Sequence, residues 1–250
     1  MGAAHLRHSS PSAKFKIFRG FDTDELRWAA RSTFRLDRKS APSLVSRDPL
    51  VTRIVEELAE RRAINIKEVL ESFETFARIR RRVRAPIVAD LCCGHGLTGL
   101  IFAAIERSVE QVVLLDYKKP PKADLVVEAV VAAAPWAADK IRWVEERIED
   151  AHQHIDKGAS IVAVHACGVR TDRAIDAAIA LSAGSVALLP CCYKHTGRQA
   201  PRGLRDALGA ELTTDIQRTY RLESAGWRVA WATIPEAITP MNRLLIGRHG

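Results

Sequence analysis

A glycine-rich segment between Asp90 and Gly99 carries the most specific chemical signal in the sequence. Its second half, Gly94–Gly99 (GHGLTG), matches the pattern G-x-G-x-x-G, which joins a buried strand to a helix in several nucleotide-binding folds. The glycines let the main chain approach a ligand closely, and the following helix directs its amide dipole into the same space. The segment therefore predicts a site for a nucleotide or nucleoside cofactor.

The residues just before these glycines indicate whether the loop binds a dinucleotide or S-adenosylmethionine (SAM). Asp90 ends the preceding strand and three residues separate it from Gly94, whereas in dinucleotide enzymes the strand enters the first glycine almost directly. An acidic strand end suits a ligand with a cationic amino-acid part and no phosphate, which Asp90 would reach through the loop backbone or a water molecule. We therefore expect SAM to be held by Asp90, Cys92, Gly94 and Gly96, with Cys92 in a position where this motif often has glycine. A structural turn without a ligand is the plain alternative.

Two later positions are candidates for binding the nucleoside half of the cofactor. Asp116 ends the second predicted strand, 20 residues after Gly96, where a carboxylate can accept hydrogen bonds from both ribose hydroxyls. Such a carboxylate fits SAM and NAD equally well, and the alternative is a solvated loop acid. Ile148 follows the third strand and is a candidate apolar contact for adenine, with an acid among residues 146–150 to bind the exocyclic amine.

Cysteine and histidine residues cluster after three of the predicted strands. The segments are Cys92-Cys93, His165-Ala166-Cys167-Gly168 and Cys191-Cys192-Tyr193-Lys194-His195. Because ligands of such sheets bind at the carboxyl ends of neighbouring strands, we expect all five cysteines to converge on the cofactor. Adjacent cysteines direct their side chains apart and no C-x-x-C spacing is present, so we expect no metal, and instead reduced thiols packed around SAM.

The same segments supply candidate groups for catalysis. Methyl transfer is an in-line displacement at a sulfonium methyl, so the protein must align the acceptor and remove its proton where one exists. His165 is a candidate base, or alternatively fixes its loop. Tyr193 can stack on a planar acceptor, and Lys194 can hold a phosphate or lower the pKa of the acceptor. Cys167 and His195 complete the expected pocket, and loop packing is the alternative role for each of these residues.

These motifs resemble two known groups of methyltransferases. The segments His165-Ala166-Cys167-Gly168, Thr171-Asp172, Ala174-Ile175, Cys191-Cys192-Tyr193 and residues 238–243 are similar to methyltransferase-like proteins of the CCY type. The H-x-C-G…T-D pattern is also similar to the tRNA 2′-O-methyltransferases of the acceptor stem, in which histidine stands in the place of Tyr193. The resemblance covers about residues 86–195. It implies a class I SAM-dependent methyltransferase more strongly than it implies a particular substrate.

Basic residues are concentrated in the N-terminal part of the chain. The 250 residues carry a net charge of +8, yet residues 1–86 hold 19 basic and 11 acidic groups while the remainder holds 19 of each. A basic appendage on a neutral domain favours a polyanionic partner, RNA above all. The candidate RNA contacts are Arg78, Arg80, Arg81, Arg82 and Arg84. On a continuous helix Arg78, Arg81 and Arg82 would share one face and could follow a phosphate backbone, and the alternative is a solvated helix face.

Hydrophobic periodicity places these motifs on an α/β framework. Helices are predicted over Pro49–Arg61 and Ile64–Arg80, and strands alternate with helices after Pro86. The predicted strands are Ile87–Leu91, Gln111–Leu115, Ile141–Val144, Ser160–His165, Ser185–Pro190, Trp227–Ile234 and Arg243–Ile246. This alternation predicts a mainly parallel sheet, and the short connection before the last strand is incompatible with a crossover, so that strand should run antiparallel. We therefore expect a Rossmann-like class I methyltransferase sheet with a C-terminal antiparallel hairpin and an N-terminal helical extension.

Three regions and a short set of functions follow from these observations. We expect a disordered basic tail over residues 1–20, a helical basic extension over 21–85 and a SAM-binding domain over 86–250. No apolar run approaches the ~20 residues needed to cross a bilayer, and the cysteines form no secreted disulfide framework, which favours a cytoplasmic protein. The leading hypothesis is SAM-dependent methyl transfer to RNA, either tRNA or rRNA. The alternatives are a small-molecule or protein acceptor, an NAD(P)-dependent oxidoreductase, and a non-catalytic RNA-binding module that retains the fold.

Overall fold

A seven-stranded sheet forms the centre of the protein in the computed structural model, which describes residues 13–190, 192–193 and 200–249. Its strands are β1 (Ile87–Leu91), β2 (Gln111–Asp116), β3 (Ile141–Glu145), β4 (Ser160–Ala163), β5 (Ser185–Leu188), β6 (Trp227–Thr233) and β7 (Arg243–His249). They lie in the order β3-β2-β1-β4-β5-β7-β6. The first five strands are parallel, while β7 pairs antiparallel with both β5 and β6. The predicted mainly parallel sheet with an antiparallel C-terminal hairpin is confirmed.

Helices cover both faces of this sheet. They are α1 (Asp24–Ala30), α2 (Pro49–Arg61), α3 (Ile66–Ile79), α4 (Leu97–Ile105), α5 (Ala123–Ala133), α6 (Val169–Ala180), α7 (Arg202–Leu208) and α8 (Ala210–Ser224). One hydrophobic core joins α2, α3, α4 and α5 to the first face, and a second joins α6 and α8 to the other. Along β1, Val88 points into the first core while Ala89 and Leu91 point into the second, as the two-residue period of a strand requires. Among the residues that the structure describes, none of these helices combines the length and apolarity of a membrane-spanning segment.

The N-terminal residues belong to the first core. Phe18 is buried, and its ring packs edge-on against Phe73 of α3 with 5.4 Å between the ring centroids. The buried carboxylate of Glu74 accepts hydrogen bonds from three successive main-chain amides, beginning at Lys16. Within residues 13–20 the structure therefore differs from the expected disordered tail, because apolar side chains and a buried carboxylate anchor this segment. The first part of the expected tail lies outside the described residues.

The parallel strands define two edges of the sheet. The strands β1, β2, β4 and β5 end at one edge, named here the carboxyl edge, and begin at the opposite edge, named here the amino edge. Helix α3 runs from the carboxyl edge, where Glu68 contacts His95, to the amino edge, where Arg80 at its C-cap contacts Glu106. A helix of this length spans roughly 20 Å at 1.5 Å per residue, so a single helix connects the two edges.

Candidate functional site

The loop between β1 and α4 lies at the carboxyl edge and turns sharply. Its backbone takes positive φ values at Cys92 (54°), Gly94 (57°) and Gly96 (78°). This conformation costs a residue with a Cβ atom roughly 1–2 kcal/mol, a strain that Cys92 carries. A Cβ atom on Gly96 would lie 2.9 Å from Cδ1 of Leu114, whereas one on Gly94 would meet nothing within 4 Å. The loop therefore packs against β2 at Gly96 and faces open space at Gly94.

Asp90 supports this loop from the protein interior. Its side chain is buried, and Oδ2 accepts a hydrogen bond of 2.9 Å from the main-chain amide of Gly99 in the first turn of α4. Burial raises the pKa of Asp90 to about 8, the Gly99 hydrogen bond opposes this shift, and the charge of Asp116 adds to it. Asp90 thus fixes the start of α4, and from this position it can act on a ligand through the loop backbone.

Asp116 faces the open side of the same loop. Its Oδ2 accepts a hydrogen bond of 2.9 Å from the amide of Gly94, and its main-chain oxygen accepts one of 3.0 Å from the amide of Glu146. The other carboxylate oxygen makes no hydrogen bond to any residue that the structure describes, and the side chain is partly exposed. A carboxylate with an available oxygen beside an open glycine fits a ribose diol. The residues present therefore fit the adenosine part of SAM.

An aromatic residue that the sequence reasoning missed follows Asp116 directly. Tyr117 is 65% exposed, and the guanidinium carbon of Arg147 lies 4.9 Å from its ring centroid. An exposed planar ring beside a ribose-binding carboxylate can lie against adenine, and an aromatic residue next to a strand-end acid is the signal that could have identified it. Ile148, the residue expected at adenine, is 7% exposed and packs mainly into the second core.

The loops after β4 and β5 are joined to each other at the carboxyl edge. The amide of Gly168 donates a hydrogen bond of 3.2 Å to the main-chain oxygen of Cys192. The hydroxyl of Thr171 donates one of 2.5 Å to the main-chain oxygen of Ala166. The H-x-C-G…T-D motif therefore builds a closed turn in which Thr171 locks the loop that carries His165.

Two histidines of this edge face acidic residues of α3. Nδ1 of His95 lies 2.9 Å from Oε1 of Glu68. Burial raises the pKa of Glu71, and the nearby charges of His165 and Lys67 oppose that shift. A carboxylate next to an imidazole can hold the ring in one orientation and stabilise its protonated form. The sequence reasoning missed both acids because it assigned α3 to a separate basic extension.

Tyr193 belongs to a network of charged side chains centred on the buried residues Asp215 and Arg218. Its hydroxyl donates a hydrogen bond of 2.6 Å to Oδ2 of Asp215. Asp215 also pairs with Arg243 at 2.8 Å and Arg218 at 3.5 Å, and Arg218 pairs with Asp172 at 2.9 Å. Burial and the charge of Asp215 raise the pKa of Tyr193 well above its usual range, so the hydroxyl stays protonated and donates. In this position Tyr193 ties the loop after β5 to α8 and β7, and its stacking on an acceptor stays a prediction.

The cysteines do not share one chemical state. Cys92, Cys93 and Cys192 are free thiols, whereas Cys167 is disulfide-bonded. The expectation of reduced thiols throughout is therefore wrong for Cys167. Burial raises the pKa of Cys92 to about 12, and the charge of Asp116 adds to the shift. Cys92 consequently remains a neutral thiol beside the candidate cofactor site.

Part of the expected acceptor pocket falls outside the described residues. Lys194 lies there, together with Cys191 and His195. Within the described parts of the chain, no three or more His, Cys, Asp or Glu side chains are grouped so that they could hold a metal ion. The catalytic role of Lys194 and the absence of a metal remain predictions.

Arg78, one of the arginines expected to contact RNA, is a buried structural residue. Its guanidinium pairs with Glu74 at 2.5 Å, donates a hydrogen bond of 2.8 Å to the main-chain oxygen of Lys14, and is almost inaccessible to solvent. Arg78 therefore anchors the N-terminal segment. The expected helix face shared by Arg78 and Arg81 is also wrong, because α3 ends at Ile79.

The other four arginines of this run lie at the surface of the amino edge. Arg80 pairs with Glu106 at 2.6 Å and lies over the ring of Phe76. Arg81 and Arg84 are exposed, and Arg82 is partly exposed. No carboxylate of the described chain pairs with these last three arginines, so their charge is available to a partner.

Comparison with known proteins agrees with the geometry of the carboxyl edge. A family model described as a methyltransferase domain matches residues 61–199. Among solved structures, a protein from Corynebacterium glutamicum shares the fold with a TM-score of 0.51 at 16% identity, over 85% of this chain and 95% of that chain. A search of curated proteins gave no match.

Two further solved structures are similar to the chain. A putative rRNA methylase from Clostridium thermocellum has a TM-score of 0.49 at 13% identity, over 71% of this chain and 96% of that chain. A SAM-dependent methyltransferase from Aquifex aeolicus has a TM-score of 0.43 at 12% identity, over 71% and 89% of the two chains. The family match spans more than half of the chain. It identifies a methyltransferase domain and so decides against the alternative of an NAD(P)-dependent oxidoreductase. The chain belongs to this family of methyltransferase domains and is a SAM-dependent methyltransferase.

Proposed function

We propose that this enzyme transfers the methyl group of SAM to RNA. The observation that carries the proposal is a set of arginines without acidic partners, Arg81, Arg82 and Arg84, on a chain whose remaining part beyond residue 86 is electrically neutral. The planar guanidinium group matches the oxygens of a phosphate in both geometry and charge. Uncompensated arginines on a methyltransferase therefore favour an acceptor that is rich in phosphates.

The carboxyl edge supplies groups for both halves of the reaction. Bound SAM provides an electrophilic sulfonium methyl group. Asp116 accepts hydrogen bonds from the ribose hydroxyls, Asp90 holds the start of α4, and the open side of the loop at Gly94 admits the nucleoside. His165 follows β4, the neighbour of β1 in the sheet, and so borders the same edge. The acceptor nucleotide is expected between this histidine and the cofactor loop.

Removal of the acceptor's proton is assigned to His165. A ribose hydroxyl or a ring nitrogen of RNA that is protonated must lose its proton as the methyl group arrives. Glu71 interacts electrostatically with His165, and a buried carboxylate of this kind stabilises the imidazolium that proton transfer creates. Tyr193 and Lys194 stay candidates for stacking on the base and for holding a phosphate.

The sequence resemblance supports the same class of acceptor. The H-x-C-G…T-D pattern is similar to that of tRNA 2′-O-methyltransferases, and the Cys-Cys-Tyr segment is similar to the CCY-type proteins. In this chain Thr171 closes the loop after β4, and Asp172 binds Arg218. This motif is the proposed wall of the acceptor site, with tRNA or rRNA as the expected substrate.

Transfer of a labelled methyl group tests the proposal. The full chain is incubated with methyl-labelled SAM and, separately, with total RNA, nuclease-digested RNA, a protein extract and a metabolite extract. We expect label in the intact RNA and its loss from high-molecular-weight material after digestion. Label in the protein or metabolite extract, with none in RNA, would contradict the proposal and favour another acceptor.

Asp116→Asn is the matched variant for the cofactor half of the site. The amide oxygen can still accept the hydrogen bond from Gly94, but one acceptor for the ribose hydroxyls becomes a donor. We expect the affinity for SAM in calorimetry to fall by about 1–3 kcal/mol, the usual loss for a hydrogen bond to a charged group. Unchanged affinity would remove Asp116 from the cofactor site.

A further inference from the structure

The unpaired arginines lie at the edge of the sheet opposite the cofactor loop. Two residues separate residues 81–84 from β1, which begins at Ile87, and residues 81–84 therefore lie near the start of that strand. Arg248 of β7 is in register with Ser185, the first residue of β5, and with Arg228 of β6. Arg228 and Arg248 of the antiparallel hairpin therefore also lie at the amino edge.

Two adjoining cavities cover this part of the surface. The first has a volume of about 740 Å³, and its lining includes Lys16, Arg80, Arg81, Arg82 and Arg84. The second has a volume of about 350 Å³, and its lining includes Arg82, Arg228, Arg248 and His249. Because Arg82 borders both cavities, they form one continuous basic surface, which we name the amino-edge surface.

The positive charge of the amino-edge surface is not compensated within the described protein. The acid that borders it, Glu106, is already paired with Arg80. Nη1 of Arg82 is buried and makes no hydrogen bond to a described residue. Arg228 and Arg248 stand directly opposite each other on neighbouring strands, and like charges in that arrangement destabilise a sheet. A bound polyanion would reduce the repulsion between the exposed cations of this surface.

The chemistry of the surface favours a phosphodiester backbone over a lipid surface. Burial lowers the pKa of Lys16, and the charges of Arg78, Arg81 and Arg82 add to this shift, so these cations are close enough to repel one another. None of the exposed large apolar side chains of the described chain borders either cavity. A membrane-binding surface would need such side chains as anchors, whereas a row of cations along connected cavities is suited to successive phosphates.

The position of the surface limits the shape of the substrate. The length of α3 separates the two edges by roughly 20 Å at 1.5 Å per residue. Phosphates bound at the amino edge therefore cannot be those that flank the nucleotide at the carboxyl edge. A gap of roughly 20 Å is several times the spacing between neighbouring phosphates along one strand.

We propose that the amino-edge surface is an exosite that binds the backbone of a folded RNA at a distance of roughly 20 Å from the methylated nucleotide. This inference rests on the proposed function and names its substrate class as structured RNA rather than a mononucleotide or a short oligonucleotide. The exosite contributes to the binding of RNA and leaves the chemical step to the carboxyl edge.

The test compares two triple variants of the full chain with equal loss of charge. The exosite variant carries Arg81→Ala, Arg84→Ala and Arg248→Ala, and all three residues are exposed. The control variant carries Lys39→Ala, Arg47→Ala and Arg53→Ala, which are also exposed but line neither cavity. Substrates are intact total RNA and the same RNA hydrolysed to mono- and dinucleotides, which are too short to reach across the roughly 20 Å between the two edges.

We expect the exosite variant to raise KM for intact RNA at least tenfold, with little change in kcat, SAM affinity or activity on fragments. In the exosite variant, the slope of log KM against the logarithm of the salt concentration should be smaller by about two to three, because each lost phosphate contact lowers this slope by about 0.9. The control variant should behave like the unaltered chain. Equal losses in both variants, or equal losses on intact RNA and fragments, would overturn the exosite.

The outcomes separate this inference from the proposed function. Absence of label in any RNA with the unaltered chain contradicts the proposed function. Methylation of RNA that is insensitive to the exosite variant contradicts the exosite alone. Binding to phosphatidylserine vesicles that the exosite variant abolishes, with RNA methylation unaffected, would assign the surface to a membrane and also overturn the inference.

Discussion

The two edges of the sheet differ in whether their charged side chains are paired with opposite charges. At the carboxyl edge, Arg218 and Arg243 pair with buried Asp215, and Arg218 also pairs with Asp172. At the amino edge, cations such as Arg84 have no acidic partner among the described residues. Paired charges fix the geometry of loops, whereas unpaired charges stay available to a ligand. The number of arginines in a segment therefore does not define a binding surface, and their pairing has to be known.

Removing a paired arginine should have the largest effect on stability. We expect Arg218→Ala to lower the free energy of unfolding by about 3–5 kcal/mol, because the buried carboxylate of Asp215 loses one of its cationic partners. Arg84→Ala, the matched change at the amino edge, should stay within about 0.5 kcal/mol of the unaltered chain. Urea unfolding measures both values, and similar losses in the two variants would break the contrast between the edges.

A substitution in the cofactor loop should have the next largest effect. Gly96→Ala places a Cβ atom 2.9 Å from Leu114 at a φ of 78°, so we expect a loss of roughly 2 kcal/mol in stability and at least tenfold weaker SAM binding. Gly203→Ala is the control, since a Cβ atom there meets nothing within 4 Å. Thermal unfolding and calorimetry compare the two. Normal SAM affinity in Gly96→Ala would show that the loop does not hold the cofactor.

The pH dependence of stability tests the buried carboxylate at the carboxyl edge. Because the pKa of Asp90 is raised from 3.8 to about 8, the folded state binds more protons than the unfolded state between these values. Stability should therefore fall as pH rises from about 4 to 8, by at least about 1 kcal/mol. Asp90→Asn keeps an acceptor for the amide of Gly99 and should remove this contribution. Urea unfolding at pH 5 and pH 8 measures the difference, and the same slope in both proteins would contradict the assignment.

The smallest expected effect concerns Tyr193. Tyr193→Phe retains the ring and removes the hydrogen bond to Asp215, so we expect a loss of about 1 kcal/mol in stability with kcat changed less than about twofold. Tyr193→Leu removes the ring as well. If stacking on the acceptor matters, the leucine variant alone should lower kcat or raise KM for RNA. Equal kinetics in both variants would leave Tyr193 with its structural role only.

The framework of the protein could be predicted from local sequence patterns. The bounds of α2 and β1 agree with the structure, because apolar periodicity and flanking prolines act over a few residues. The antiparallel β7 followed from the length of one connection. The positions of Asp90 and Gly94 relative to each other followed from the geometry of a strand-to-helix turn.

The partners of the site residues could not be predicted in this way. Glu68 and His95 are 27 residues apart, and Tyr193 meets Asp215 across 22 residues. Such pairs form only when α3 and α8 pack on the sheet, so no local pattern reveals them. The burial of Arg78 likewise depends on a distant N-terminal segment, whose anchoring by Glu74 was unexpected.

The shared core has a consequence for dissecting the enzyme. The family match at residues 61–199 suggests a convenient fragment, but such a fragment would lack α2, β6 and β7. Without β7, one side of β5 would have no neighbouring strand. Without the N-terminal segment, Phe73 would be exposed and the carboxylate of Glu74 would lose its hydrogen bonds to that segment. An unpaired apolar strand is a template for intermolecular pairing. The segment that the family model matches is therefore not an autonomous folding unit, and a fragment cut to its bounds should aggregate instead of forming a minimal enzyme.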